Sequence, residues 1–231
     1  MDLKDKVVLV TGAATGIGKD TAIDFSKKQS KVAICYHKSP GDEVLNECRS
    51  HSEAMLVHLD VTDIDSINHA IEEVVNRFGR IDILVNNAAV LVYKPFEEQT
   101  LEEIKSQIDV NLIGVMHVTH CALPHMKKLP EAMMINVASI VGIDAYGGGV
   151  PYGASKFGLR GFAKSLAPEL ENIRVYIVNP GLTCTKMSEY AGAGVAPSMV
   201  ADIVIRTAEE TLSKETGDDI VVPEYLENTS S

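Results

Sequence analysis

Three short stretches carry residue types whose spacing could do chemistry. The first is Thr11-Gly12-Ala13-Ala14-Thr15-Gly16-Ile17-Gly18, between an apolar run and an amphipathic one. Glycines there let the chain turn tightly and let a pyrophosphate approach a helix N-terminus, where free N–H groups and the helix dipole favour an anion. The spacing is Gly-x-x-x-Gly-x-Gly, not the commoner Gly-x-Gly-x-x-Gly. A glycine-rich turn with no ligand has the same composition, and the strand before and helix after are what favour a phosphate site. The second is Tyr152-Gly153-Ala154-Ser155-Lys156, whose ends share one face of a helix. A phenol with a pKa of ~10 is a poor acid–base catalyst at neutral pH, and a cation one turn away would lower it. Taken alone, the pair is better explained as an amphipathic helix with an incidental Tyr and Lys. The third is Ile135-Asn136-Val137-Ala138-Ser139. In an open parallel sheet ligands sit beyond the carboxyl ends of the strands, where the Ser139 hydroxyl could bond a substrate carbonyl. A turn serine closing a strand is the plain alternative.

These groups need elements to position them. Lys6–Val10, Val32–Cys35, Ala54–Leu59, Ile81–Val85, Met133–Val137 and Ile173–Val178 are short apolar runs that read as buried strands, with Asp219–Val222 as a short last one. Between them lie helical stretches. One follows the glycines to about Lys28, and one is capped by Asp63 and ended by Gly79. A long one runs from Leu101 to Lys128, one is opened by Pro151, and one covers residues 198–213. Alternation of this kind predicts an α/β fold: a single, doubly wound, Rossmann-like parallel sheet with helices on both faces. The expected organisation is one domain over 1–231, with a short substrate lid at 182–197 containing the small-residue run Ala191-Gly192-Ala193-Gly194.

Composition narrows the function. The 231 residues are 45% hydrophobic and 23% charged, with a net charge of −11. That describes a globular chain whose acidity disfavours nucleic acid and anionic lipid as partners. No stretch reaches the ~18 apolar residues of a membrane span. The charged start Met1-Asp2-Leu3-Lys4-Asp5-Lys6 lacks a signal-peptide pattern, and Cys35, Cys48, Cys121 and Cys184 lack paired spacing. The expectation is a cytoplasmic protein with reduced thiols. His117, His120 and His125 lack a further ligand and supporting shell for a metal and read as surface or interface residues. Cys184, at the base of the lid, reads as a small buried hydrophobe.

Taken in order, the motifs resemble the short-chain dehydrogenase/reductase family over nearly the whole chain. They are Thr11 to Gly18; Asp60-Val61; Asn86-Asn87-Ala88-Ala89; Asp109-Val110-Asn111; Ser139; Tyr152 with Lys156; and Asn179-Pro180-Gly181. The resemblance implies a catalytic tetrad of Asn111, Ser139, Tyr152 and Lys156. Tyr152 would be the general acid in reduction and the base in oxidation, and Ser139 would hold the substrate oxygen. Lys156 would bind the nicotinamide ribose and lower the tyrosine pKa. Asn111 would kink its helix and anchor a water that passes protons to Lys156. The resemblance also implies cofactor contacts: Gly12, Thr15, Gly16, Ile17 and Gly18 around the pyrophosphate turn, Asp60 and Val61 at the adenine, Asn86 and Ala88 along the riboses. Pro180, Gly181, Thr183 and Thr185 would meet the nicotinamide end, beside Tyr152 and Lys156.

The end of the second strand bears on which dinucleotide binds. NAD sites use a carboxylate roughly 20 residues beyond the glycine motif, and Tyr36-His37-Lys38-Ser39 has none. Lys38 would attract a 2′-phosphate, so Tyr36, His37 and Lys38 favour NADP, with NAD as the alternative. Thr15 stands where many NADP-binding relatives carry a base. The expected activity is hydride exchange between NADP(H) and a small-molecule carbonyl or alcohol substrate. An NAD-dependent alcohol or sugar dehydrogenase, or a weakly catalytic dinucleotide-binding sensor or scaffold, is the alternative. An isomerase or dehydratase would need a larger substrate domain. Val90, Leu91, Val92, Tyr93, Ile140, Ile143 and Tyr146 are expected to line an apolar pocket. A homodimer or homotetramer is the family's habit, although the family's Asp-Gly-Gly ending is missing here.

Overall fold

The computed structural model describes residues 1–187 and 194–227. Among the described residues seven strands form one parallel sheet: β1 (Val7–Val10), β2 (Lys31–Tyr36), β3 (Ala54–His58), β4 (Ile83–Asn86), β5 (Ala132–Val137), β6 (Ile173–Asn179) and β7 (Asp219–Val221). Their spatial order is β3-β2-β1-β4-β5-β6-β7. The order reverses direction between β1 and β4, and that reversal opens a crevice at the carboxyl ends of the central strands. Register alternates side chains between two cores. Val7 and Leu9 of β1 face one cluster, with Leu84 and Met134. Val8 and Val10 face the other, with Val85 and Ile135.

Each core is closed by helices. The first is covered by α3 (Ile64–Phe78) and, later in the chain, by α5 (Gly114–Met126) and α6 (Val150–Leu166). The second is covered by α1 (Gly16–Lys27), α2 (Asp42–Arg49) and α7 (Pro197–Ala208). Local chemistry explains the helix ends that the sequence predicts. The Asp63 carboxylate accepts the Asp65 N–H, and Gly79 closes α3 at φ 84°.

Several boundaries differ from expectation for physical reasons. The stretch from Leu101 to Lys128 is not one helix. α4 (Leu101–Ile108) and α5 are joined by a π-helical turn over Asp109–Ile113. α2 escapes a periodicity reading because only Val44 and Cys48 are buried on it. α6 starts at Val150, one residue before Pro151. α7 stops at Ala208, because Glu210 turns left-handed (φ 58°) and the Thr211 N–H returns to Arg206 O. α8 (Val222–Glu227) follows β7 directly. Of the expected lid, residues 188–193 lie outside the described residues, and with them most of the run from Ala191 to Gly194. Its described flanks meet in a bridge between Thr183 and Val195.

Candidate active site

The crevice at the switch point is a cleft of about 1380 Å³. Its end at the β1 and β4 loops is shaped by backbone. Gly12 and Gly16 have φ of +64° and +58°, and a Cβ on Gly12 would lie 2.9 Å from Ala88 Cα. A side chain at Gly12 would therefore fill the space between the β1 and β4 loops. Thr15 precedes α1 without a side-chain hydrogen bond to its first turn, and Thr15, Gly16 and Ile17 line the cleft. A helix start presented in this way suits an anionic phosphate group. Thr11 ties the β1 and β4 loops together: its hydroxyl accepts the N–H groups of Asn87 (2.9 Å) and Ala88 (3.0 Å). Asn87 answers by donating Nδ2 to Thr11 O at 2.9 Å. The loop after β6 closes from the far side, with Thr185 Cγ2 3.2 Å from the Cβ position of Gly16.

Beyond β2 and β3 the cleft is polar. His37 Nε2 lies 3.2 Å from Asp60 Oδ2, and Thr62 donates both its N–H (2.9 Å) and its hydroxyl (2.7 Å) to Asp60 Oδ1. Burial works against the Asp60 charge, but the Thr62 hydrogen bonds and the neighbouring His37 and His58 outweigh it and hold the carboxyl below its usual range. Lys38 lines the same wall and has no carboxylate partner among the described residues.

The other end is shaped by side chains. Ser139 follows β5 and caps a single 3₁₀ turn over Ile140–Gly142, its hydroxyl accepting the Val141 N–H at 3.2 Å. Tyr152 and Lys156 stand one turn apart on α6, and Lys156 Nζ lies 5.5 Å from the Tyr152 ring centroid. Lys156 is buried and donates to Val137 O at 2.9 Å. Burial lowers its pKa from 10.5 to about 8. Burial raises the Tyr152 phenol above its ordinary value, partly offset by a hydrogen bond with Ser139. The expected lowering of the tyrosine by the lysine is thus not the balance in the free protein. Desolvation drives both groups toward neutrality.

The cleft gathers nearly all the residues singled out by sequence: Gly12, Thr15, Gly16, Ile17, Tyr36, His37, Lys38, Asp60, Val61, Ala88, Ser139, Tyr152, Lys156, Pro180, Gly181, Thr183 and Thr185 line it. Three do not. Gly18 packs beneath the cleft, where a Cβ would come within 2.4 Å of Asn87 Nδ2. Asn86 is buried in the sheet and donates to Asn136 Oδ1 (3.0 Å) and Thr119 Oγ1 (3.3 Å). Asn87 lines the cleft in its place. Asn111 is buried at the π turn, accepting the Val90 N–H and donating to Val90 O, both at 2.8 Å, and to Ser155 Oγ at 3.1 Å. Its side chain fastens the β4 loop to α6 and does not reach into the cleft. Of the expected apolar lining only Ile143 is missing. Val141 and, from the described part of the lid, Leu182 and Met187 line it as well. Cys184 donates its thiol to Gly194 O instead of facing the cleft. Among the described residues no group of three or more His, Cys, Asp or Glu is placed to hold a metal ion, and no helix is long and apolar enough to cross a membrane.

Fold and site together define a dinucleotide-dependent oxidoreductase, and comparison with known proteins agrees. The family profile described as short chain dehydrogenase matches residues 6–195, so the chain belongs to the short-chain dehydrogenase/reductase family, whose members use NAD or NADP to interconvert carbonyl and alcohol groups. A 3-oxoacyl-(acyl-carrier-protein) reductase of Thermotoga maritima is 36% identical over 235 residues, covering 94% of this chain and 96% of the relative. A 3-ketodihydrosphingosine reductase of Bacteroides thetaiotaomicron is 31% identical over 185 residues, covering 78% of this chain and 64% of the relative. Among solved structures, levodione reductase superposes with a TM-score of 0.87 at 25% identity, covering 94% of this chain and 96% of that one.

Proposed function

We propose that the protein is an NADP-preferring reductase of a small or medium ketone or 3-oxoacyl compound, built as one dinucleotide-binding and catalytic domain. One observation carries the reading. A single cleft runs from the uncapped start of α1 to the Ser139, Tyr152 and Lys156 side chains. Gly12, Gly16 and Ile17 would hold the pyrophosphate. Asp60 and Val61 would lie at the adenine, Asn87 and Ala88 along the riboses, and Pro180 to Thr185 at the nicotinamide. The bound nicotinamide supplies the hydride. Ser139 would fix the substrate oxygen, and the Tyr152 hydroxyl would give its proton to that oxygen as the carbonyl carbon is reduced. Its raised pKa keeps it protonated at neutral pH, as an acid must be. Lys156 would bind the nicotinamide ribose hydroxyls, and Asn111 acts as a positioning residue through Val90 and Ser155.

The NADP preference rests on Lys38, which lines the wall where a 2′-phosphate would lie and has no carboxylate partner among the described residues. The substrate class rests on the apolar outer cleft (Leu91, Val92, Tyr93, Val141, Tyr146, Leu182) and on the names of the similar reductases. The reading places the protein in the cytoplasm as a homodimer or homotetramer, with no nucleic-acid or membrane partner. Calorimetric titration tests the cofactor: NADPH is expected to bind about tenfold or more tighter than NADH, and Lys38→Glu to erase the difference. Equal or tighter binding of NADH by the wild type would overturn the preference.

A further inference from the structure

Behind the cleft, out of reach of substrate, a polar cluster joins the three segments that carry the reacting end. Arg160 follows Lys156 by one turn of α6, as Lys156 follows Tyr152. Its Nε donates to Asp219 Oδ1 at 2.8 Å and its Nη2 to Oδ2 at 2.7 Å. The third guanidinium nitrogen, Nη1, donates to Gly142 O, at the end of the turn that begins with Ser139. Asp219 opens β7 and also accepts Asn179 Nδ2 at 3.0 Å. Asn179 ends β6 immediately before Pro180-Gly181. Lys164 lies 2.9 Å from the same carboxylate.

Two further contacts close the ring. The Ile140 N–H donates to Pro180 O at 3.0 Å, and the Gly142 N–H to Ser139 O at 2.9 Å. Gly142 lies so close to α6 that a Cβ there would sit 2.8 Å from Lys156 O. The Ser139 turn, the Tyr152–Lys156 face of α6 and the Pro180 loop are thus fixed to one another through one guanidinium and one carboxylate. Neither Arg160 nor Asp219 lines the cleft.

An exposed ion pair would count for little. This one is bidentate, with side chains only 19% and 18% exposed, and besides Lys164 its further hydrogen bonds are with Gly142 O and Asn179 Nδ2, on two segments of the site. Bidentate geometry fixes orientation as well as distance. Hydride and proton transfer need that orientation, since a displacement of ~1 Å can cost ~10²-fold in rate.

We propose that Arg160 and Asp219 are positioning residues that clamp the Ser139 turn, the Tyr152–Lys156 helix and the Pro180 loop into one catalytic alignment. This rests on the reading of Ser139, Tyr152 and Lys156 given above, and the test keeps the two apart. Two variants break the clamp: Arg160→Lys, which keeps the charge and loses the fork, and Arg160→Met/Asp219→Val, which leaves no buried charge unpaired. Arg77→Ala, at the exposed pair with Glu53, is the control. Amide hydrogen exchange is followed in peptides covering residues 138–145, 150–158 and 177–183, with and without NADPH. NADPH affinity and the reduction of acetoacetyl-coenzyme A are measured alongside.

The expected result is faster exchange in those three peptides alone, with kcat lowered about 30-fold or more in the double variant and less in Arg160→Lys. The dissociation constant for NADPH stays within about threefold, and the control is unchanged. Unchanged exchange in the three peptides would overturn the clamp, as would uniformly faster exchange across the sheet. Faster local exchange with full kcat would overturn its role in catalysis. A wild type that binds NADPH but reduces no carbonyl compound would count against the functional reading alone, and the exchange result would still decide the clamp.

Discussion

The two ends of the cleft are built from different materials. The nucleotide end is backbone: glycines at positive φ, a helix start with no side-chain cap, and loops stapled by Thr11 and Asn87. Its shape is set mainly by the backbone of the β1 and β4 loops. The reacting end is side chain: a serine, a phenol and a buried ammonium, held by an asparagine at a π turn and by an arginine–aspartate pair. Both ionisable groups there are driven toward neutrality by burial. One end is suited to binding a constant ligand, and the other to moving a proton. Substitutions at the two ends should therefore fail in different ways.

The sharpest break in that comparison is at Tyr152. Tyr152→Phe removes one hydroxyl and keeps the ring, so turnover should fall about 10³-fold, within the usual range for a lost general acid. NADPH affinity should stay within about twofold, since the proposed pyrophosphate cradle lies at the other end. Steady-state rates beside a binding titration check this, and full retained activity would remove Tyr152 from the mechanism. Gly12→Val should do the reverse. At φ +64° and 2.9 Å from Ala88 Cα the new side chain strains the turn and fills the cradle, so the dissociation constant for NADPH should rise about tenfold or more. At saturating cofactor, kcat should change far less. A Gly12→Val enzyme with wild-type affinity would show that the β1 turn is not where the dinucleotide sits.

The contrast between the ends also explains what the sequence could disclose. The backbone-built end was legible because its signals are local: glycines between a strand and a helix, Asp63 and Gly79 at the two ends of α3. Tyr152 and Lys156 stand one helical turn apart, but that spacing alone fits an incidental pair, and only their place in the family's order of motifs singles them out. The remainder depends on partners far along the chain. Asn86 and Asn87 are indistinguishable as letters, and only strand register, which pairs Asn86 with Asn136, buries one and exposes the other to the cleft. At the π turn the Asn111 amide bonds both backbone groups of Val90, a partner that no periodicity in the helix signals. Arg160 and Asp219 are 59 residues apart, and nothing in the sequence around either points to the other.

The subtlest difference between the ends is energetic, and Lys156 measures it. In the fold its pKa falls from 10.5 to about 8, so between those values the unfolded chain binds a proton that the folded chain does not. Stability therefore rises with pH from about 8 to about 10.5, and below 8 the full cost of burying the ammonium is present. That interval corresponds to ~3 kcal/mol. Lys156→Met removes this cost but leaves Val137 O without its donor, a loss of ~1–3 kcal/mol. At pH 7 the variant should be inactive yet more stable than the wild type, by about 1 kcal/mol. By pH 10 the advantage should vanish or change sign, because the wild-type lysine has by then lost its proton in the fold. Urea unfolding of both proteins at the two pH values reads the effect, and groups common to both cancel. A variant that is less stable by the same amount at both pH values would show that the buried ammonium carries no cost.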